Sequence, residues 1–183
     1  MSESIKYRVA QKGFKSQNLF NISAFIEITH GKSTYPICED VVFLEFYSGT
    51  RGANGFKYDT NNKKVMISDA HELRRLSYGC KELLKNGQSK YVNYTDPGLT
   101  ENSSGNKKKL TLGMNLQEDK NIKTFFINFE EKQTEKIAIQ FDAYGFAAFA
   151  DSINVIANEC ETVLFNYQRK MEIKVNKEKN KNQ

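Results

Sequence analysis

The sequence predicts an α+β fold in which about four β-strands lead into one amphipathic helix, and the same plan then runs a second time. Three observations carry this. Apolar residues alternate with period two in residues 18–29 and Asp40–Tyr47, and again in strands within 107–141, the mark of half-buried strands. Two stretches, beginning near Asp69 and Asp142, switch to helical spacing. The chain has 183 residues, 39% of them apolar and 12% aromatic, with only two prolines, so it has the composition and length for one well-packed domain. No letter-by-letter repeat is visible, and the expectation is one domain with internal pseudosymmetry.

Residues 1–15 show no clear period and read as a flexible arm before a domain spanning 16–171. Residues 18–29 place Phe20, Ile22, Ala24, Ile26 and Ile28 on alternate positions, a half-buried strand. His30-Gly31-Lys32-Ser33 reads as a turn. Asp40–Tyr47 is the next predicted strand, with Val42, Leu44 and Phe46 on one face and Val41, Phe43, Glu45 and Tyr47 on the other. Gly49 to Gly55 reads as a glycine-rich loop. Phe56–Asp59, the turn Asn61-Asn62 and Lys63–Ile67 then read as a hairpin.

The first helix carries a capping-box signature, Asp69 followed three residues on by Glu72. Leu73, Leu76, Cys80, Leu83 and Leu84 form its apolar stripe, and Asn86-Gly87 ends it. A strand at Lys90–Tyr94 and a turn at Thr95-Asp96-Pro97-Gly98 follow; Pro-Gly is the pair a type II turn prefers at its centre. After a polar loop to Asn106, strands are expected at Lys107–Met114, Ile122–Phe129 and Glu135–Phe141. The second helix starts at Asp142. Its stripe from Phe146 to Tyr167 is wide enough to bury against both a sheet and a partner helix. Past Met171 the chain turns to Lys and Asn, so residues 172–183 read as a basic disordered tail.

Charge is segregated along the chain. The total is +5, yet residues 1–50 balance at zero, residues 51–109 carry twelve basic against six acidic side chains, residues 110–167 carry four against nine, and residues 168–183 carry six against two. A cationic middle and tail suit a polyanion partner. Single-stranded nucleic acid is held by cations along its phosphates and aromatic faces under its bases. The candidates facing away from the helix-covered side are Phe43 and Tyr47 on their strand, with Lys107, Lys109 and Thr111 opposing core Leu110 and Leu112. Lys136 and Gln140 likewise oppose Ile137, Ile139 and Phe141. Arg51, Lys57, Lys63 and Lys64 from the loop and hairpin, Lys90 and Tyr91 after the first helix, and Lys108 complete the set.

Other classes fit poorly. Of the two histidines, His30 falls in a turn and His71 in the first helical turn, where a lone histidine is more often solvated than catalytic, and no cysteine–histidine spacing suits zinc. Gly49 to Gly55 lacks the Gly-Lys-Ser/Thr ending of a phosphate loop. Glu130-Glu131-Lys132 has the residue types of a metal-dependent nuclease site but the setting of a charged hairpin turn. A non-catalytic protein with no cofactor and no metal is expected.

Three scattered cysteines (Cys38, Cys80, Cys160) argue for free thiols and a reducing cytoplasm, bacterial or that of a virus's host cell, in keeping with the lysine- and asparagine-rich composition. No apolar run approaches the ~20 residues of a membrane span. Residues 1–6 hold no apolar signal core. Lys6, Arg8, Lys12 and Lys15 keep a basic organelle presequence open as an alternative, although Glu3 and the scarcity of arginine argue against it.

The order of elements and some local wording resemble the Whirly family of single-stranded DNA-binding proteins. The similar segments are Leu44-Glu45-Phe46, Tyr58-Asp59, Lys63-Lys64 with the strand ending at Ser68, Tyr94-Thr95-Asp96-Pro97, Lys109-Leu110-Thr111-Leu112 and Phe125-Phe126-Ile127-Asn128-Phe129. Kinetoplastid mitochondrial RNA-binding proteins share that family's fold. The resemblance spans most of residues 18–168. It implies two four-stranded antiparallel sheets braced by two helices, a homotetramer assembled through the helices, and largely sequence-independent binding of single-stranded DNA in replication, recombination, repair or transcription. The family's Lys-Gly-Lys stretch is replaced by Phe20-Asn21-Ile22-Ser23-Ala24, which removes the basis for assembly beyond a tetramer. An RNA-binding or RNA-annealing protein on the same fold is the alternative, and a protein–protein adaptor using the aromatic face is a second class.

Overall fold

The computed structural model describes residues 3–30, 36–88, 91–94, 108–117, 122–131 and 135–181. The turn expected at Gly31–Ser33, the loop at 95–106 with its Pro97-Gly98 turn, and the charged turn at 132–134 lie outside these residues. The chain is α+β, with antiparallel sheets and two helices.

The first sheet has the strand order β1-β2-β3-β6, built from Glu3–Lys15, Leu19–His30, Ile37–Tyr47 and Lys64–Ser68. Between β3 and β6 lies a separate two-stranded ribbon of β4 (Gly49–Gly52) and β5 (Gly55–Tyr58). Helix α1 (Ala70–Asn86) follows. The second sheet has the order β10-β9-β8-β7, from Glu135–Phe141, Ile122–Glu131, Lys108–Gln117 and Val92–Tyr94, with β7 reduced to three residues. Helix α2 (Ala143–Lys181) closes the chain. The strands are thus shared out less evenly than two matched sets of four.

Three expectations are corrected here. Residues 3–15 of the expected arm are not loose: β1 pairs with β2 along nearly its whole length. Its apolar pattern is unreadable because the register shifts between Arg8 and Ala10. Ile5 and Tyr7 pair with core positions Ile28 and Ile26, while beyond the bulge Ala10 and Phe14 pair with Ala24 and Phe20. The core-side parity therefore switches from odd to even residues in mid-strand.

The second correction concerns the hairpin. β5 pairs with β4, not with β6, and β6 joins β3 instead. The tight turn is Ala53-Asn54 ahead of Gly55, whose φ of 114° suits glycine. Asp59 organises the following connection by accepting from the Asn61 and Asn62 N–H groups.

The third is the tail. Residues 172–181 continue α2 as helix. No Gly or Pro interrupts them, lysine and glutamate are good helix formers, and Glu178 sits at i+4 from Lys174. Val175 is only 6% exposed, so this last part of the helix also packs.

Both helix starts are where the sequence places them. Asp69 accepts from the Glu72 N–H at 2.7 Å, and Asp40 from β3 accepts from the Ala70 N–H. Gly87 ends α1 at φ 68°, donating to the Leu83 carbonyl. Asp142 caps α2 through the Gly145 N–H at 2.6 Å. The helices are tied together by Ser77 Oγ donating to the Ala150 carbonyl at 2.8 Å and by an Arg74–Glu161 fork.

One continuous core joins both sheets and both helices. Its centre is aromatic: Phe46 of β3 stacks on Phe20 of β2 at 4.5 Å and on Phe129 of β9 at 4.7 Å, linking one sheet to the other. Cys80 and Cys160 lie in this core as free thiols. Burial raises both, Cys160 to about 12 with help from the nearby Asp40, Glu161 and Glu159 charges. Among the described residues no helix is long and apolar enough to cross a membrane.

The β4–β5 ribbon is held by the connection between β1 and β2. Asn18 Oδ1 accepts from the Gly49 N–H at 2.9 Å, and Tyr58 donates to the Ser16 carbonyl at 3.0 Å. Asn18 Nδ2 also donates to the Ala138 carbonyl of β10 at 2.9 Å, so one side chain joins ribbon and second sheet. The approach is close: a Cβ on Gly49 would fall 1.9 Å from the Gln17 carbonyl oxygen. Because that neighbour is backbone, Gly49→Ala is expected to destabilise by about 1–3 kcal/mol. This would read as a melting temperature lower by several degrees; an unchanged melting curve would contradict the packing described.

Candidate nucleic-acid interface

Opposed residues of neighbouring strands share a face, so the register defines the outer face of the first sheet. β2 presents Asn21, Ser23 and Phe25, which lie opposite Glu45, Phe43 and Val41 of β3. The edge strand β1 adds Lys6, Arg8 and Gln11, opposite Glu27, Phe25 and Ser23. On the other side Ile67 of β6 stands beside Phe43.

Phe25 and Phe43 meet edge to face, with ring centroids 5.6 Å apart and planes at 79°. The Arg8 guanidinium lies 5.5 Å from the Phe25 centroid and the Lys6 ammonium 5.4 Å from that of Phe43. Beside the rings is a shallow hollow of about 400 Å³, bordered by Arg8, Gln11, Tyr47 and Lys63. Its floor is polar. Asn21, nearly buried, donates through Nδ2 to Ser23 Oγ at 3.1 Å and to Glu45 Oε2 at 2.7 Å. Lys63 Nζ donates to Glu45 Oε1 at 2.5 Å.

Burial alone would raise Glu45. The hydrogen bonds from Lys63 and Asn21, the Lys63 charge and a hydrogen bond from Tyr47 outweigh it and hold this carboxyl below the usual carboxylate range. Tyr47 is raised in turn, first by burial and then by the Glu45 charge. The sign for stability follows. A carboxyl that binds its proton more weakly when folded stabilises the fold above its ordinary pKa of about 4.5, and that stabilisation is lost as pH falls through the folded value. Glu45→Gln is therefore expected to flatten the acid limb of the stability–pH curve, measured by urea midpoints from neutral pH down to about pH 3. An acid limb identical to wild type would contradict this assignment.

The second sheet also has a polar outer face, with Lys109, Thr111 and Gly113 on β8 facing Glu130, Asn128 and Phe126 on β9. Lys136 of β10 pairs with Glu130 at 3.4 Å, and Asn128 donates to the same carboxylate at 2.8 Å. Phe126 lies across Gly113, where a Cβ would fall 2.1 Å from the ring. Glycine here lets an aromatic ring rest over the neighbouring strand.

Phe43, Tyr47 and Lys63 thus come together on one sheet, and Lys109 and Lys136 on the other. Arg51 and Lys57 are exposed on the ribbon, where Arg51 opposes Phe56 and Lys57 opposes Thr50. Lys90 and Lys107 lie outside the described residues.

Three candidates are corrected. Tyr91 is 8% exposed and belongs to the core, so it does not flank α1 as an open stacking face. Lys64 and Lys108 turn to the core side, as the alternation that buries Met66 and Leu110 requires. Both reach the buried Glu131 of β9, at 3.3 and 3.7 Å, and Lys108 also donates to the Val65 carbonyl at 2.6 Å. Their role is to join β6 of the first sheet to the end of the second.

Sequence reasoning missed Phe25, Lys6 and Arg8. The same alternation that assigns Ile26 and Ile28 to the core sends Phe25 outward, so its signal was present. Lys6 and Arg8 were hidden by the β1 bulge. Among the described residues no group of three or more His, Cys, Asp or Glu side chains is placed to hold a metal ion. No family model matches the chain, and no curated protein matches it in sequence.

Proposed function

We propose that this chain is a non-catalytic single-stranded nucleic-acid-binding protein of Whirly-like fold, acting on single-stranded DNA. The observation that carries this reading is the Phe25–Phe43 pair on an open sheet face with Arg8 and Lys6 above the rings. A base stacks on an aromatic face whatever its identity, and flexible cations beside the rings reach the flanking phosphates, so binding is largely independent of sequence. The second sheet adds Phe126, Lys109 and Lys136 at a second stacking surface, and Arg51 and Lys57 extend the cationic border.

The assembly is a homotetramer formed through the helices. Tyr78 of α1 and Tyr144, Val155 and Phe165 of α2 are large side chains exposed on them, and their burial between copies is what such an assembly needs. The setting is a reducing cytoplasm, and the process is DNA replication, recombination, repair or transcription. An RNA-binding protein on the same fold would use the same stacking and phosphate contacts and add contacts to 2′-hydroxyls.

A protein–protein adaptor is the second reading. It is favoured by Ile67, which is well exposed directly beside Phe43 and enlarges the apolar part of that face. A gel shift with labelled single-stranded DNA, challenged in turn by unlabelled DNA strand, RNA strand and duplex, tests the choice. Competition by the DNA strand and little by duplex is expected. Equal competition by duplex, or no shift at all, would contradict the proposal.

A further inference from the structure

We propose that the hollow on the outer face of the first sheet holds one unstacked nucleobase and reads it through the Glu45 carboxylate, favouring guanine over thymine or uracil. This rests on the single-strand-binding reading and adds to it a preference at one base position.

A surface for stacking alone has no use for a polar floor. Here the sheet sets Asn21 and Ser23 nearly buried beneath the rings, with the Glu45 side chain only 12% exposed beside them. Glu45 is kept charged by its surroundings and is therefore an acceptor only. With the Tyr47 hydrogen bond displaced by the incoming base, each of its oxygens would keep one donor, from Asn21 or from Lys63, and offer a further lone pair. Those two bonds also fix the carboxylate's orientation, so little ordering remains to be done when a ligand arrives.

The spacing suits a base. Phe43 and Glu45 are two residues apart on one strand, about 7 Å along its axis. A base centred over the Phe43 ring would bring its hydrogen-bonding edge to the carboxylate. Lys6 and Arg8, which lie over the rings, are exposed, and would leave Glu27 and Gln11 to swing aside onto phosphates.

The chemistry then selects among bases. Guanine presents two adjacent donors, N1–H and the 2-amino group, which match the two oxygens of one carboxylate. Thymine and uracil present a single N3–H between two carbonyl oxygens, which a carboxylate repels. Adenine and cytosine present one amino group next to a ring-nitrogen acceptor and fall between.

The test is anisotropy competition with an oligothymidine of about 10 nucleotides, unchanged or carrying one central guanine, cytosine, adenine or hypoxanthine. Wild-type protein should bind the guanine strand about 5- to 10-fold more tightly than oligothymidine, with part of that gain lost for hypoxanthine, which lacks the 2-amino group. Glu45→Gln should reduce the guanine preference to within about twofold, and oligothymidine should bind it no more weakly than wild type because the carboxylate that repels thymine is gone. Equal wild-type binding of all five strands would overturn the base-reading proposal and leave single-strand binding intact. A guanine preference that survives in Glu45→Gln would overturn the assignment to Glu45. No binding to any strand would overturn this proposal together with the reading beneath it.

Discussion

Replacing Phe46 by alanine is expected to destabilise the fold by about 3–5 kcal/mol, the largest effect of any single truncation considered. Phe46 is fully buried and stacks on Phe20 within its own sheet and on Phe129 of the other sheet. Truncation removes the transfer energy of the ring and leaves a cavity between two sheets whose strands are hydrogen-bonded and cannot collapse freely into it. It also removes two stacked contacts. In a chain of this length the loss should lower the melting temperature by roughly 10 °C. Phe46→Leu should lose less than half as much, because most of the volume is kept. A change below about 1 kcal/mol for Phe46→Ala would mean that the two sheets do not share this core.

Phe25→Ala and Phe43→Ala are each expected to weaken binding of a single strand by about 1–3 kcal/mol, or about 5- to 150-fold, while the melting temperature moves little. Both rings are half-buried on the outer face, so truncation leaves no sealed cavity. The two losses should not add, because the rings touch at 5.6 Å and support one another. Phe126→Ala provides the comparison on the second sheet. Wild-type affinity in both Phe25→Ala and Phe43→Ala would remove the first sheet from the interface.

Much of the core was legible because the chain alternates cleanly where it is buried on one side only. Phe20 to Ile28, Val42 to Phe46 and Phe125 to Phe129 each keep one parity for several residues, and all turn that parity inward. Both helices announced their starts with an aspartate, and Gly87 marked the end of the first.

What could not be read has physical causes. A bulge changes parity without changing composition, so β1 looked aperiodic. Pairing partners are a tertiary choice, and nothing local says that β5 prefers β4 to β6. The far end of α2 is rich in Lys and Asn, a composition shared by tails and exposed helices, and burial of Val175 depends on what it packs against. At the site, neighbouring lysines divided by parity: Lys63 and Lys109 turn outward, whereas Lys64 and Lys108 turn inward to Glu131. Charge counted along the chain could not show that division. It also could not show how far the outer-face cations are offset, Lys6 by Glu27 at 3.3 Å and Lys63 by Glu45. The first-sheet face is therefore less cationic than residues 51–109 suggest, and its aromatic pair carries more of the argument.

The most direct measurement is fluorescence anisotropy of the whole protein with a labelled strand of ~30 nucleotides, as single-stranded DNA and as duplex, between about 50 and 200 mM salt. Tight binding of the single strand, weakening log-linearly with salt and much poorer for duplex, is the expected result. Absence of single-strand binding at the lowest salt, or equal binding of duplex, would contradict the account.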